Sequence, residues 1–259
     1  MAIRTMNAPP AGPRVPTGVS AGVAVYDRDS GTFTERLAPD ARFRSASVVK
    51  LLIALDLLWD REAVDVLPPD DRTRLAAMLA SSDDDAAGHF WERNGGTGVI
   101  TRMVSRLGLT GTSGPPPDFP GYWGFSAITA ADAVRVWCHL LDEAPAALRD
   151  AVLDPLRRAT RYGTDGFDQS FGIPSAFARP WAVKQGWSGF PAPARPKGAG
   201  RGGVDLDRPA LHTTGTVGAG DRAVVAVLTL HPPGTAYAAG CARVTEIVRS
   251  LRVPGAGAM

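Results

Sequence analysis

The chain has 259 residues, long enough for one large domain or two interleaved ones with an ample hydrophobic core. Hydrophobic residues make up 44% and charged residues 21%, the balance of an ordinary globular protein. The formal net charge of +2 is spread along the chain, and no apolar run approaches membrane-spanning length. We therefore expect neither a nucleic-acid partner nor membrane insertion.

The first stretch, residues 1–17, is rich in proline and glycine and predicts a flexible leader. It lacks the continuous apolar run of a signal peptide, so the sequence as written predicts a cytoplasmic protein. If residues before Met1 are missing, an exported protein is expected instead.

Next come a hairpin and a helix. Residues 19–38 alternate in polarity around a Ser-Gly turn, which predicts a β-hairpin. From Ser47 to about Arg61 the chain is apolar on nearly every helical face, which predicts a helix buried on all sides.

Helical spacing then dominates from Asp70 to about residue 178. One proline-rich loop, residues 112–126, interrupts the helices. Cys138 and Cys241 fall in separate helical stretches without metal-ligand spacing, so we expect buried apolar side chains rather than a disulfide or a ligand pair. Neither a metal nor a cofactor is expected.

The end of the chain returns to strands. "WAVKQGW", "ALHTTGTVG" and "AVVAVLTLH" are strand-like, and a helix follows them. With the first hairpin they predict a five-stranded antiparallel sheet with flanking helices. The fold is thus α+β and two-lobed: residues 18–45 and 179–259 form a discontinuous α/β lobe, and residues 46–178 form an inserted all-helical lobe. A site is expected in the cleft between the lobes.

Lysine is nearly absent, which draws attention to where it occurs. Of 28 lysines and arginines only Lys50, Lys184 and Lys197 are lysine. Lysine can lose its proton in a protein and arginine cannot, so Lys50, three residues after Ser47 on one helix face, is a candidate base. The alternative is that Ser47 is an N-cap and Lys50 an extended surface side chain.

Two further motifs are ambiguous alone. Ser82, Asp83 and Asp84 open a helix and could be no more than a Ser cap followed by acids. Lys184 and Gln185 precede Gly186, where a ligand could approach the strand closely.

Taken in order, the three motifs resemble a known family. S-x-x-K, S-D-N and K-T-G mark class A β-lactamases and penicillin-binding proteins. Here the motifs are Ser47-Val48-Val49-Lys50, Ser82-Asp83-Asp84 and Lys184-Gln185-Gly186, and their surroundings resemble the family from about residue 18 to 252. The resemblance implies the β-lactamase/transpeptidase-like fold.

The resemblance also implies roles for these residues. Ser47 would be the acylated nucleophile and Lys50 its proton acceptor. Ser82 would relay the proton to the leaving group, and Lys184 would hold a substrate carboxylate. The backbone N–H groups of Ser47 and of Trp187 or its neighbour would form the oxyanion hole.

Two of the motifs depart from the family. Asp84 stands where the family has asparagine, and Gln185 stands where it has threonine. An ionised Asp84 would raise the pKa of Lys50 and would accept hydrogen bonds but donate none. We therefore expect an altered substrate or slow acylation.

A third departure concerns release of the acyl group. The family's omega loop carries a glutamate that activates the deacylating water, but residues 110–127 contain no glutamate or asparagine, and Asp118 is their only acid. A long-lived acyl-enzyme is expected.

The connection of residues 188–209 is long and basic. It contains Arg195, Lys197, Arg201 and Arg208, and it is either a flexible surface loop or a lid that captures an acidic substrate. His212 on the following strand could flank the cleft or be purely structural.

The sequence therefore predicts a monomeric serine hydrolase or acyltransferase. Its substrate would be a β-lactam, a D-Ala-type peptide or a related amide or ester, either a small molecule or a peptide. The alternative is an inactive descendant that binds a ligand or partner in the same cleft.

Overall fold

The computed structural model describes residues 12–59, 67–191 and 203–257. Its strands are β1 (Ser20–Asp27), β2 (Thr32–Leu37), β3 (Phe43–Arg44), β4 (Ala127–Ile128), β5 (Trp181–Ser188), β6 (Ala210–Val217) and β7 (Ala223–Leu230). Its α-helices are α1 (Lys50–Leu58), α2 (Pro69–Ala80), α3 (Asp84–Arg93), α4 (Gly98–Leu107), α5 (Ala130–Cys138), α6 (Ala146–Arg157), α7 (Ile173–Ala176) and α8 (Tyr237–Arg249).

Five strands form one antiparallel sheet in the order β2-β1-β7-β6-β5. β6 and β7 are buried along their whole length because helices cover both faces, and β7 is accordingly a nearly continuous apolar run, whereas β6 buries His212 and three threonines. The predicted α+β fold and its five-stranded sheet are confirmed. The first two strands, β1 and β2, lie at one edge of the sheet. The chain then runs through α1–α7 and returns to the sheet as β5, at the opposite edge.

Two hydrophobic cores flank the sheet. One joins α1, the helices around it and the face of the sheet that carries Ala24 and Val224. The other lies under α7 and α8 against the opposite face, which carries Val23 and Val225. Alternate residues of a strand point to opposite faces, so single strands supply both cores.

The predicted buried helix is confirmed, but its start differs. A 3₁₀ turn, Ala46–Val49, precedes α1, so Ser47 lies in this turn rather than in the α-helix itself. From Lys50 to Leu58 every residue except Asp56 is buried. The predicted end near Arg61 lies outside the described residues.

Cys138 and Cys241 are unpaired thiols that are partly exposed rather than fully buried. Burial is the main cause that raises the pKa of Cys138 to about 11 and that of Cys241 to about 12, so both stay protonated near neutral pH. Across the described ranges, no helix combines the length and apolar character that crossing a bilayer requires. The division into a leader and two lobes remains a prediction.

Candidate active site

Ser47 lies where the 3₁₀ turn packs against the edge strand β5. Ala46, just before it, has a φ of 45°, a left-handed conformation that is uncommon for a residue with a side chain. Gly186 allows the close approach, because a Cβ there would lie 3.1 Å from Ser45 O and 3.2 Å from Ser47 N. The strand and the serine turn are thus in direct contact.

The side chain of Lys50 connects the first motif, residues 47–50, to the second motif, residues 82–84. Its side chain is completely buried, and its Nζ donates to Ser82 O at 2.6 Å, to Ser82 Oγ at 3.2 Å and to Asp84 Oδ1 at 2.5 Å. Ser82 has a φ of 57°, which is again left-handed. Among the described contacts, none joins Lys50 Nζ to Ser47 Oγ. The amine is instead directed toward the second motif, Ser82-Asp83-Asp84.

Lys184 brings in the third motif. Its Nζ donates to the same Ser82 Oγ at 2.9 Å and to Gln185 O at 3.3 Å. Two lysine amines therefore share one hydroxyl. Complete burial, and then the positive charge of Lys50, hold the pKa of Lys184 well below its usual value.

The charge of Lys50 is set by two opposing effects. Burial disfavours its ammonium form, whereas the carboxylates of Asp84 and Asp83 favour it. Burial is the larger effect, so the pKa of Lys50 is lowered. The prediction that Asp84 raises this pKa describes its contribution correctly, but burial outweighs it.

Ser82 does not cap its helix. The cap of α3 is Asp83, whose carboxylate accepts from Ala86 N at 2.7 Å. Lys50 is fully buried, and Ser47 makes no side-chain cap. The alternatives in which Ser47 and Ser82 are helix caps and Lys50 is a surface side chain are therefore wrong: Ser47 borders the cleft, and Lys50 and Ser82 are buried beside it.

A cleft of about 250 Å³ opens beside Ser47. Its lining residues are Ala46, Ser47, Asp84, Gly121, Tyr122, Trp123, Gly124, Phe125, Trp187 and Ser188. Of the predicted residues, Ser47, Asp84 and Trp187 thus line the cleft, while Lys50, Ser82 and Lys184 meet beside it.

Gln185 is placed differently. It is 1% exposed, is absent from the cleft lining, and donates through Nε2 to Gln169 O at 3.1 Å and Phe171 O at 2.6 Å. Its Oε1 is buried without a partner among the described residues. The Gln185 side chain therefore holds the loop that contains Gln169 and Phe171, called here the loop beneath β5.

Sequence reasoning missed the aromatic wall of the cleft. Trp123 lies under the amine of Lys50, with Nζ 4.8 Å from the ring centroid, and Tyr122 stacks on Phe125 at 5.0 Å. The cluster "GYWGF" within the proline-rich segment was the available signal. Asp165, which accepts from Trp187 Nε1 at 2.8 Å, carried no such signal.

His212 is a structural residue. It is fully buried; Nε2 donates to Arg44 O at 2.8 Å and Nδ1 accepts from Thr229 N at 3.1 Å. Burial lowers its pKa to about 4, so the ring is neutral. The expectation that His212 could flank the cleft is wrong.

The basic connection is only partly described. Arg195, Lys197 and Arg201 lie outside the described residues. Arg208 is described, and it bonds to Asp205 Oδ2 at 2.7 Å and to Ser20 Oγ at 2.9 Å rather than reaching the cleft.

Comparison with known proteins gives one group of relatives. No family model matches this chain. The chain is 35% identical over 240 residues to the protein named "Putative lipoprotein LppW" of Mycobacterium tuberculosis, across 90% of this chain and 70% of that protein. The protein of the same name from Mycobacterium bovis gives the same values.

Solved structures share the fold at lower identity. A variant of PBP-A, determined as an acyl-enzyme complex with penicillin G, has a TM-score of 0.66 and 16% identity over 90% of this chain and 89% of its own. The β-lactamase from Streptomyces albus G has a TM-score of 0.64 and 20% identity over 90% and 93%. The class A β-lactamase from Mycobacterium abscessus has a TM-score of 0.64 and 18% identity over 92% of each chain. The predicted fold resemblance is confirmed.

Proposed function

This chain belongs to the LppW family and has the fold of class A β-lactamases and PBP-A, and from this premise we propose that it is a serine hydrolase or acyltransferase. It would form an acyl-enzyme on Ser47 with a β-lactam, a D-Ala-type peptide or a related amide or ester. The observation that carries the proposal is the convergence of Lys50 and Lys184 on Ser82 Oγ beside the Ser47 turn.

The first half-reaction begins with Ser47. Its Oγ attacks the substrate carbonyl carbon, and its proton passes to a neutral Lys50 amine. The bond to the leaving nitrogen or oxygen then breaks, and Ser82 delivers a proton to that atom. The backbone N–H groups of Ser47 and Trp187 would stabilise the oxyanion, an effect typically of about 3 kcal/mol per donor.

Lys50 must leave its ion pair with Asp84 before it can act as this base. A carboxylate 2.5 Å from Nζ favours the ammonium form, which has no lone pair to accept a proton. This is the physical reason why we expect acylation to be slower than a neutral residue at position 84 would allow.

We also propose that the acyl-enzyme is long-lived. Release needs a base that activates water, and Asp84, already paired with Lys50, is the one carboxylate among the described residues that line the cleft. Asp118 is exposed and is not part of that lining. An acyl group on Ser47 would therefore remain bound until slow hydrolysis or attack by another nucleophile releases it.

Intact-mass spectrometry tests the proposal. Incubation with penicillin G and with an activated acyl ester should add one acyl group, which should persist after excess reagent is removed. Trypsin should place it on the peptide Ser45–Lys50, which holds two serines. Ser47→Ala should lose the adduct and Ser45→Ala should keep it; an adduct that survives Ser47→Ala, or none on the wild type, contradicts the proposal.

Two observations favour the alternative of an inactive binding protein. Lys50 bonds to Asp84 and Ser82 rather than to Ser47, and Gln185 is committed to the loop beneath β5. In that case ligands would bind reversibly in the cleft, and no reagent would modify Ser47.

The name of the relative bears on where this protein is located. A lipoprotein is an exported, anchored protein, so we propose an extracytoplasmic site of action over the cytoplasmic one. Fractionation of cells that express the native gene tests this. A monomer acting on a small or peptide substrate remains our proposal.

A further inference from the structure

The cleft beside Ser47 combines aromatic walls with one carboxylate. Tyr122, Trp123, Phe125 and Trp187 supply the aromatic rings. Asp84 is the one lining side chain among the described residues that is charged at neutral pH, and its side chain is 66% exposed. Aromatic faces and a carboxylate together are the usual recognition elements for an ammonium group.

The site already holds one cation in this way. The Lys50 ammonium lies 4.8 Å from the Trp123 ring centroid and 2.5 Å from Asp84 Oδ1. Trp187 donates its indole N–H to Asp165, which places a second carboxylate behind another wall. Lys50 occupies Oδ1 of Asp84 from the buried side, and the rest of this carboxylate, whose side chain is 66% exposed, is the part that could attract a ligand cation beside the aromatic rings.

Groups that could receive a substrate carboxylate are committed elsewhere. Lys184 is 1% exposed, with Nζ bonded to Ser82 Oγ and Gln185 O. The Gln185 amide donates to the carbonyls of Gln169 and Phe171. Within the described ranges no arginine lines the cleft. Among the described lining residues, an anionic substrate would meet the carboxylate of Asp84 and no cationic side chain.

We propose that this cleft selects acyl donors carrying an ammonium group, bound between Asp84 and the aromatic walls while the carbonyl faces Ser47. The inference rests on the proposed acyl chemistry of Ser47. The volume of about 250 Å³ lies below the ~300–1,000 Å³ of pockets for drug-sized ligands, so the group selected is small, such as a primary or trimethyl ammonium.

Equilibrium binding to Ser47→Ala tests selectivity apart from chemistry. The probes are three short amides of equal length that end in a trimethylammonium, a tert-butyl or a sulfonate group, titrated by calorimetry. The first two have the same shape and differ in charge. The ammonium probe should bind about tenfold more tightly than the tert-butyl probe, and the sulfonate probe most weakly.

The Asp84→Asn and Trp123→Leu substitutions, each added to Ser47→Ala, should each reduce the ammonium preference severalfold. Asp85→Asn is the matched control: Asp85 is the exposed neighbour outside the lining and should keep the preference. Equal affinity for the ammonium and tert-butyl probes, a preference for sulfonate, or a preference insensitive to both cleft variants would overturn the inference.

Reaction with matched p-nitrophenyl esters separates this inference from the proposed function. On wild-type protein Ser47 Oγ would bond to the acyl carbon, p-nitrophenolate would leave, and the proton would go to Lys50. The rate should follow the same order of charge. No acylation together with selective ammonium binding contradicts the enzyme alone, whereas acylation without charge preference contradicts only the ammonium selectivity.

Discussion

The protonation states of individual side chains at this site depend on charges a few ångströms away. Ser82 Oγ lies between Lys50 Nζ and Lys184 Nζ, and Asp84 closes the network on the cleft side. Burial drives both lysines toward the neutral form, and Asp84 draws Lys50 back toward the charged one. We therefore expect the proposed chemistry at Ser47 to depend on the identity of residue 84.

Asp84→Asn should accelerate acylation at neutral pH. The carboxylate raises the pKa of Lys50, so its removal lowers that pKa further and leaves more of the amine neutral. We expect the acylation rate to rise with pH as Lys50 loses its proton, and in Asp84→Asn this rise should move to lower pH. Stopped-flow acylation across pH measures it, and we expect a severalfold gain at pH ~7.

The control for this prediction is Asp85→Asn. It removes a carboxylate from the same turn without touching the Lys50 pair, so its profile should match the wild type. A profile of Asp84→Asn that stays unmoved would mean that Lys50 is not the proton acceptor.

Gly186→Ala should slow acylation about tenfold, because displacement of a reacting group by a few tenths of an ångström is costly. The new Cβ would lie 3.1–3.2 Å from Ser45 O, Ser47 N and Val48 Cγ2, and would push the serine turn off β5. Acylation kinetics and thermal melting together measure the effect.

Gly88→Ala is the matched control for this substitution. Position 88 lies within α3, nothing lies within 4 Å of an added Cβ, and alanine there should stabilise the helix by about 1 kcal/mol. Acylation by this variant should be unchanged. Normal acylation by Gly186→Ala would disprove the need for close contact.

At the scale of elements, the proline-rich segment is held in place by one buried acid. Asp132 in α5 accepts from Thr110 N at 3.2 Å, Gly111 N at 2.8 Å and Thr112 Oγ at 2.8 Å. Further along, Ser45 N donates to Ser126 O at 2.7 Å, which ties the segment to the residues before Ser47. The segment thus positions Trp123, which begins a short 3₁₀ helix, Trp123–Phe125.

Asp132→Ala should destabilise the protein by about 2–4 kcal/mol, because it leaves the buried Thr112 hydroxyl and the half-buried Gly111 N–H without their acceptor. Urea denaturation measures the loss. Asp118→Ala removes an exposed acid from the same segment and should change stability by less than about 0.5 kcal/mol. Similar losses from both substitutions would show that Asp132 does not anchor the segment.

At the scale of the whole molecule, the sheet core contains a histidine that resists protonation. His212 lies on β6, and its hydrogen bonds link Arg44 before the serine turn to Thr229 on β7. Its pKa is lowered to about 4 from 6.5, so the unfolded chain binds this proton more readily than the folded one. Stability should therefore fall as pH drops from about 6.5 to about 4.

His212→Gln should reduce that acid sensitivity. The shift of the His212 pKa corresponds to about 3 kcal/mol at pH below ~4, and an amide keeps a donor and an acceptor without titrating. Urea unfolding at pH ~7 and ~4 should show a smaller drop for the variant than for the wild type.

His89→Gln removes a histidine whose side chain is 40% exposed and should not reduce the drop. If His212→Gln loses as much stability on acidification as the wild type, the buried ring is not the group responsible.

The order of the strands and helices and the three ordered motifs could be predicted from the amino-acid sequence alone. Alternating or continuous apolar runs predicted β1, β2, β5, β6 and β7 within about two residues of their observed bounds, because local periodicity is set by burial of one face or both. The rarity of lysine drew attention to Lys50 as a candidate base, since arginine cannot lose its proton in a protein, and the third motif added Lys184.

The contacts between those residues could not be predicted and follow from the fold. It directed Lys50 to Asp84, moved the α3 cap to Asp83, and committed Gln185 to the loop beneath β5. It also brought Trp123 against Lys50. These contacts join residues that are far apart in sequence. The distances between the groups and their burial set the protonation states of the two lysines. The spacing of motifs along the chain contains neither the distances nor the burial, so the motifs indicate where the site is but not how its groups are charged.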